Sequence, residues 1–335
     1  MGEITKIKVD GEPESSYQLY SRNEEFAKRA AVDPSIFAPA PFKPAGKSYL
    51  TFSSPNSFTL AVRNATKKWD GTIEYFASDK TWTAWDGTTT LSAVADDSEY
   101  LLYLRGTGNR IITGGNTAGI WVISGTNIKC IGNIDNLLDY TTVESGNHPT
   151  MANNCYKYMF QGCTSLISAP ELPTTTLSKS CYSSMFDGCT ALTQAPALPA
   201  TTLSKSCYSF MFRGCTSLKL SSVKTGEYTQ AYRIPTTGTG TTKNGALTNM
   251  FAFTGGTFTG TPAINTTYYL SSNNMIVRDT EVATLNSYVG SMIDVAIDEY
   301  ADTAEYIIPS STTGSTKKFK ITVDDSGTLT ATEVT

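Results

Sequence analysis

Cysteine is the residue with the most regular spacing in this chain. Six of the seven cysteines recur at alternating intervals of 8 and 18 residues, namely Cys155, Cys163, Cys181, Cys189, Cys207 and Cys215. Thiolates can hold zinc or form disulfides, but zinc sites favour close pairs such as Cys-x2-Cys, and this sequence contains none. A small, easily buried residue that recurs at one position can instead fill equivalent gaps in a core. The spacing therefore favours reduced, buried thiols, with disulfides inside a repeat or a metal site as the alternatives.

Histidine-dependent chemistry has a single candidate, His148, in a Gly-Asn-His-Pro loop. One histidine forms neither a metal pair nor, without a nucleophile elbow such as Gly-x-Ser-x-Gly, a recognisable triad. Glycine-rich phosphate loops are missing, and a net charge of −4 gives no basic stripe for nucleic acid. We therefore predict no enzymatic activity, no cofactor, no metal and no nucleic-acid partner. Glycoside cleavage by an unmarked pair among the 30 carboxylates is the minor alternative.

The cysteines lie in a 26-residue repeat. Residues 155–180 and 181–206 are identical at 18 of 26 positions, and a third copy begins at residue 207. One such repeat cannot bury its apolar face alone, whereas stacked repeats share a continuous core. The pattern therefore predicts a short solenoid.

Apolar spacing inside one repeat suggests its local structure. Leu177, Cys181 and Met185 follow one another at four-residue intervals, which predicts a short helix that ends near Gly188. A short extended segment follows, in which Pro196 prevents full strand pairing. Each repeat is therefore expected to read as helix, turn and extended segment, an α/β solenoid.

Ligand-binding candidates come from two patterns. Positions that differ between copies are expected to face solvent, and tryptophans can stack on sugar rings while the indole N–H donates a hydrogen bond. For the tryptophans, packing in a core is the favoured interpretation. The candidates are Trp82, Trp85, Tyr158, Gln161, Asp187, Gln194 and Arg213.

The regions flanking the repeats are predicted to be mainly β. Short β-type runs with turn signals between residues 48 and 131 predict a β-sandwich that caps the repeats. Apolar spacing over 280–300 predicts a helix, and the alternation over Lys317–Val334 predicts a β-hairpin. The predicted domains are 1–46 for anchoring and assembly, 47–140 for the β-sandwich, 141–262 for the repeats with a degenerate C-terminal cap, and 263–335 for a C-terminal helix and β-hairpin assembly domain.

The repeat motif also resembles a known family. Cys-Tyr-x-x-Met-Phe-x-Gly-Cys-Thr-Ser-Leu followed by Ala-Pro-x-Leu-Pro resembles the BspA-type leucine-rich repeats of surface proteins from gut and oral bacteria and their phages. The start, Ile4-Thr-Lys-Ile-Lys-Val-Asp-Gly, resembles that of gut-phage structural proteins, and the hairpin over 317–334 resembles the end of phage head-fibre-type proteins. These resemblances imply a head or tail fibre or decoration protein of the virion.

The implied partners and location follow from this resemblance. They are a homotrimer of the chain itself, other virion proteins such as capsid or portal and tail components, and host-surface or mucin glycans. The N-terminus lacks the apolar core of a secretory signal. The chain also contains no run of about 18 to 20 apolar residues, the length that a membrane-spanning helix needs. We therefore expect a virion protein without membrane insertion. A bacterial cell-surface adhesin whose signal has been trimmed is the alternative.

Overall fold

The computed structural model of the chain describes residues 42–46, 49–65, 68–115, 117–277, 306–309, 318–323 and 329–334. These residues are mostly β, as the sequence predicts, and the one α-helix among them is α1, Asn136–Glu144. The chain divides into two compact units, Met1–Arg278 and Asp279–Thr335. Most of the predicted N-terminal segment and the helix predicted over 280–300 lie outside the described residues.

The first compact unit contains eighteen strands among its described residues. In chain order they are β1 (Leu50–Ser54), β2 (Thr59–Val62), β3 (Thr72–Phe76), β4 (Trp82–Ala84), β5 (Leu91–Ser92), β6 (Val94–Asp96), β7 (Glu99–Thr107), β8 (Trp121–Ser124), β9 (Ile128–Ile131), β10 (Leu166–Ser168), β11 (Gln194–Pro196), β12 (Thr202–Leu203), β13 (Lys219–Ser221), β14 (Tyr228–Arg233), β15 (Thr241–Thr242), β16 (Gly255–Gly256), β17 (Thr267–Ser271) and β18 (Met275–Val277).

A nine-stranded sheet runs from the N-terminal region into the repeats, with the order β18-β11-β10-β9-β1-β7-β3-β4 and β6 also paired with β7. Pairing is antiparallel from β9 through β1, β7 and β3 to β4. It is parallel from β9 through β10 and β11 to β18. The parallel pairing of β10 with β11 follows from the repeat itself, because equivalent segments of successive repeats run in the same direction. Pro196 stands at the last position of β11, which keeps that strand short.

A three-stranded sheet, β5-β2-β8, packs its side chains into the same core. Trp121 of β8 is fully buried, and its ring lies 6.4 Å from Phe52 of β1 and 6.2 Å from Phe160 of the first repeat. Burial alternates along β8 and β9, as expected for strands with one buried face. The hydrophobic core is therefore continuous between the N-terminal region and the repeats.

Successive repeats are joined by backbone hydrogen bonds at a constant offset. Tyr156 N–H donates to Cys181 O at 2.8 Å, and Phe160 N–H donates to Met185 O at 2.9 Å. The same bonds link the second and third repeats. Alternate N–H groups of each repeat therefore point at the next repeat.

The expectation of a helix in each repeat is wrong. The N–H groups between those alternate donors bond three residues back, as Met159 does to Tyr156 O at 3.1 Å. The backbone also enters the left-handed region at every fourth residue, with φ of 62° at Asn154, 67° at Tyr158 and 78° at Gly162. This segment is a succession of tight turns, because half of its N–H groups bond to the neighbouring repeat instead of to a helix of their own. Apolar residues four positions apart lie on the same side of the chain both in a helix and in this series of turns, so their spacing alone does not distinguish the two.

A fourth, divergent repeat follows an insertion. Tyr208 N–H donates to Ala246 O at 3.0 Å, and Phe212 N–H donates to Met250 O at 2.9 Å. Aromatic rings at equivalent positions form two stacked columns, which are Tyr156, Tyr182 and Tyr208, with centroids 5.5 and 5.9 Å apart, and Phe160, Phe186, Phe212 and Phe251, with centroids 5.7, 5.5 and 5.6 Å apart. These rings are buried and form the centre of the repeat core.

The exposed end of the hydrogen-bond ladder is capped. In the earlier repeats the equivalent N–H groups bond to the next repeat. In the fourth repeat, three of these N–H groups bond instead to the segment that follows it. Asn249 N–H donates to Thr261 Oγ1, Phe251 N–H to Gly260 O, and Phe253 N–H to Thr259 Oγ1, each at 2.8 Å. This cap removes an open β-type edge from the molecule.

Strands after the repeats belong to two different compact units. β17 pairs with β13 and β14, and β18 pairs with β11, so residues 267–277 lie with the repeats and the expected boundary at 262/263 falls inside the first compact unit. The second compact unit contains β19 (Tyr306–Pro309), β20 (Lys318–Val323) and β21 (Leu329–Val334). β20 pairs antiparallel with β21, which confirms the predicted hairpin, and β19 adds a third strand.

Candidate recognition surface

Three of the candidate residues occupy the same position in consecutive repeats and contact one another. Gln161 Nε2 donates to Asp187 Oδ2 at 2.9 Å. Arg213 donates from Nε to Asp187 Oδ1 at 2.9 Å and from Nη2 to Asp187 Oδ2 at 2.5 Å. We call Gln161, Asp187 and Arg213 the polar ladder. The constant offset between repeats brings equivalent positions into contact. At this position the sequence supplies a donor in Gln161, an acceptor in Asp187 and a donor in Arg213.

The polar ladder contains one buried charge and one accessible charge. The side chain of Asp187 is 8% exposed, whereas that of Arg213 is 40% exposed. The hydrogen bonds that Arg213 donates to Asp187 raise the pKa of the guanidinium above its ordinary value, so this group stays charged. The guanidinium carbon also lies 5.0 Å from the centre of the Phe210 ring, within range of a cation–π contact.

An aromatic row accompanies the polar ladder. Tyr158, Ser184 and Phe210 share one repeat position, and Tyr158 and Phe210 are partly exposed. Lys157 Nζ lies 4.8 Å from the centre of the Tyr158 ring, so a second cation–π pair occurs in the first repeat. The face thus combines two aromatic rings, two cations and one buried carboxylate.

Phe210 was not among the candidates, although the sequence carries a signal for it. Tyr158 is one of the candidates, and an aromatic residue recurs at its position two repeats later. Phe253 was not among the candidates either. It is 76% exposed and occupies, with φ of 59°, the position at which the earlier repeats carry glycine.

Gln194 belongs to a different part of the repeat. It lies in β11, where Ser168 Oγ donates to its Oε1 at 2.7 Å, whereas the polar ladder lies in the turns. The 26-residue spacing between Ser168 and Gln194 shows the same rule, that equivalent positions contact each other. The structure therefore separates Gln194 from the other repeat candidates.

The two candidate tryptophans differ in accessibility. Trp85 is 3% exposed, its Nε1 donates to Thr89 O at 2.9 Å, and its ring lies 5.1 Å from Trp69 and 5.5 Å from Trp121. Trp85 is therefore a core residue that offers no ring face to a ligand, which corrects its inclusion among the candidates. The indole is buried because the turn that precedes β5 folds it back onto the small sheet.

Trp82 is partly exposed in the edge strand β4. The Arg105 guanidinium lies 4.2 Å from its ring centre, and the Phe76 ring lies 5.3 Å away. Arg105 also lies 4.3 Å from the Tyr140 ring and bonds to Glu74 Oε2 at 2.8 Å. Arg105 therefore covers one face of Trp82 and links the sheet to α1.

The cysteines form buried columns. All seven are free and buried, and burial raises the pKa of the Cys163 and Cys207 thiols to about 12. One thiol of each repeat donates to a backbone carbonyl of the preceding layer, as Cys189 does to Phe160 O at 3.1 Å and Cys215 to Phe186 O at 3.0 Å. These thiols therefore serve packing and hydrogen bonding, because the reactive thiolate is strongly disfavoured.

The one histidine, His148, contacts a buried carboxylate. Its Nδ1 lies 3.2 Å from Oδ2 of the fully buried Asp135, which also accepts a hydrogen bond from Thr174 Oγ1 at 2.5 Å. Across the described ranges, no group of three or more histidine, cysteine or acidic residues has the arrangement of a metal site. Nor does any helix in the described ranges have the length and apolarity needed to cross a membrane.

Comparisons of the chain with protein-family models, with curated proteins and with solved structures find no match.

Proposed function

We propose that this chain is a phage virion protein, a fibre or decoration protein of the head or tail, that displays a BspA-like leucine-rich repeat module for adhesion to host surfaces or glycans. The observation that carries the proposal is the stack of repeats with the polar ladder and the aromatic row along one face. A repeat array of this kind offers an extended surface on which several weak contacts act together.

The interpretation of the repeats as a short solenoid is part of this proposal. Each repeat bonds to its neighbours at a constant offset, and both ends are covered. At the start, Trp121 N–H donates to Met159 O at 2.8 Å and Ile112 N–H donates to Cys155 O at 3.0 Å, which fits an N-terminal β-sandwich acting as cap. At the other end, Thr259 and Thr261 bond to the last N–H groups. Capped ends fit a module of fixed length.

Assembly is assigned to the terminal segments. We place the homotrimer contacts in the second compact unit and the attachment to capsid or portal and tail components in the N-terminal segment, on the strength of the resemblance of both ends to phage structural proteins. A trimer would present three recognition faces, and linked binding events raise the overall affinity far above that of a single site. No enzymatic step is part of the proposal.

The test uses the full chain with a fluorescent label on intact host bacteria. We expect saturable binding that competes with unlabelled chain, and a solution mass three times that of one chain. A monomer that shows no saturable binding to cells would contradict the proposal.

A bacterial cell-surface adhesin is the second candidate, because the same repeat motif resembles those of bacterial surface proteins. It shares the recognition face but places the chain in the cell envelope instead of the virion. Fractionation of a lysed culture separates the two candidates, because a virion protein sediments with intact particles.

A further inference from the structure

Arg213 uses only part of its hydrogen-bonding capacity. A guanidinium carries five N–H donors, and its Nε and Nη2 side is taken by the carboxylate of Asp187. In the part of the chain that the structure describes, Nη1 makes no hydrogen bond, and the side chain is 40% exposed. The Nη1 and Nη2 end of the guanidinium is therefore left for an external acceptor.

The guanidinium is also held in place before any ligand arrives. Asp187 fixes it through two hydrogen bonds, and the Phe210 ring packs 5.0 Å from its central carbon. Immobilising a long side chain on binding costs conformational entropy and weakens affinity. Because Asp187 and Phe210 already restrict Arg213, this cost is smaller here. A prearranged guanidinium recognises planar, two-oxygen acceptors, since two parallel N–H groups match the two oxygens of a carboxylate.

The carboxylate of the polar ladder is already engaged within the protein. Asp187 is nearly buried, and both of its oxygens are engaged by Gln161 and Arg213. Lys157 adds a second cation beside the Tyr158 ring on the first repeat. Two partly exposed rings, Tyr158 and Phe210, lie next to these cations and suit the apolar face of a sugar.

We propose that the polar ladder binds glycans that carry carboxylates, with the outward end of Arg213 donating hydrogen bonds to the carboxylate of a uronic or sialic acid residue. Tyr158 and Phe210 contact the sugar rings, and Lys157 attracts a second acidic sugar residue of the same glycan. This inference rests on the proposed function, because it names the ligand class of the same face.

The test measures binding of the full chain to two pairs of defined probes. Oligogalacturonate is compared with the matching galactose oligomer, and sialyllactose is compared with lactose. We expect at least one acidic probe to bind and its neutral counterpart to bind at least tenfold more weakly. Equal binding of acidic and neutral probes, or no binding of either acidic probe, overturns the inference. The proposed function is tested separately by binding to intact cells, so its failure can be distinguished from a failure of the inference about acidic glycans.

Variants of the full chain test the geometry. Arg213→Gln should weaken binding of the acidic probe roughly tenfold to hundredfold, the usual effect of losing a hydrogen-bonded charge pair. Arg213→Lys keeps the charge but not the two-pronged donor, and should restore less than half of that loss in binding free energy.

Two further variants complete the set. Lys157→Gln should weaken binding a few-fold without touching the hydrogen bonds of Asp187. Arg110→Gln removes an exposed positive charge from the N-terminal region and should leave binding unchanged. A loss with Arg110→Gln as large as with Arg213→Gln would show that net charge alone acts, and would contradict a specific site.

Discussion

Replacing Phe186 by alanine tests whether the stacked rings hold the repeats together. The ring is fully buried and lies 5.7 Å from Phe160 and 5.5 Å from Phe212. Truncating a buried phenylalanine costs about 3–5 kcal/mol in free energy of unfolding, and stacked aromatic pairs place this site toward the upper end. Such a loss is a large share of the about 5–15 kcal/mol that stabilises a typical domain.

Urea denaturation of the full chain, followed by tryptophan fluorescence and by far-UV circular dichroism, measures this loss. All four tryptophans lie between residues 69 and 121, so fluorescence reports on the region before the repeats. Because the Trp121 ring packs 6.2 Å from Phe160, we expect both signals to shift together.

The matched control is Phe253→Ala. Phe253 is a phenylalanine in the fourth repeat that is 76% exposed, so its truncation should change the free energy of unfolding by less than about 0.5 kcal/mol. A loss below about 1 kcal/mol for Phe186→Ala, or equal losses for both variants, would refute the stacked-core argument.

Three further predictions concern the thiols, the turns and the cap. Burial raises the pKa of Cys163 to about 12, so native protein should resist thiol reagents at about pH 8 and react only after unfolding; rapid native labelling would contradict this. Hydrogen bonds from Thr88 lower the pKa of Asp86 to about 2 from an ordinary 3.8, so the stabilisation from this carboxylate is complete above about pH 4 and fades as the pH falls toward 2; a carboxyl NMR titration midpoint near 3.8 would speak against it. Replacing Thr259 and Thr261 together by alanine removes two acceptors from the cap, and we expect concentration-dependent association in sedimentation velocity, where an unchanged monomeric or trimeric profile would count against a capping role.

Strand positions in the N-terminal region could be predicted because their signals are local. Two of the β-type runs that the sequence shows between residues 48 and 131 are Thr72–Phe76 and residues 99–104, and they coincide with β3 and the start of β7. The helix prediction for the repeats failed because the spacing of Cys181 and Met185 fits both a helix and a series of turns. Only the hydrogen bonds to the next repeat decide between them, and those depend on neighbours 25 residues away.

The candidate surface was partly within reach of the sequence. Gln161, Asp187 and Arg213 share a repeat position, so their contact follows once repeats stack in register. Core packing, the favoured interpretation of the tryptophans, is correct for Trp85, but the sequence could not distinguish it from the partly exposed Trp82, because burial depends on where a turn folds against Trp69 and Trp121. Sequence spacing therefore predicts contacts between repeats better than it predicts exposure in the flanking sheets.

Fractionation of a lysed culture of the host that produces this chain tests the virion assignment, with detection of the chain by mass spectrometry in density-banded particles. We expect the chain to band with intact virions and to be accessible to antibody on the particle surface. Recovery of the chain only with the bacterial envelope would contradict the virion assignment.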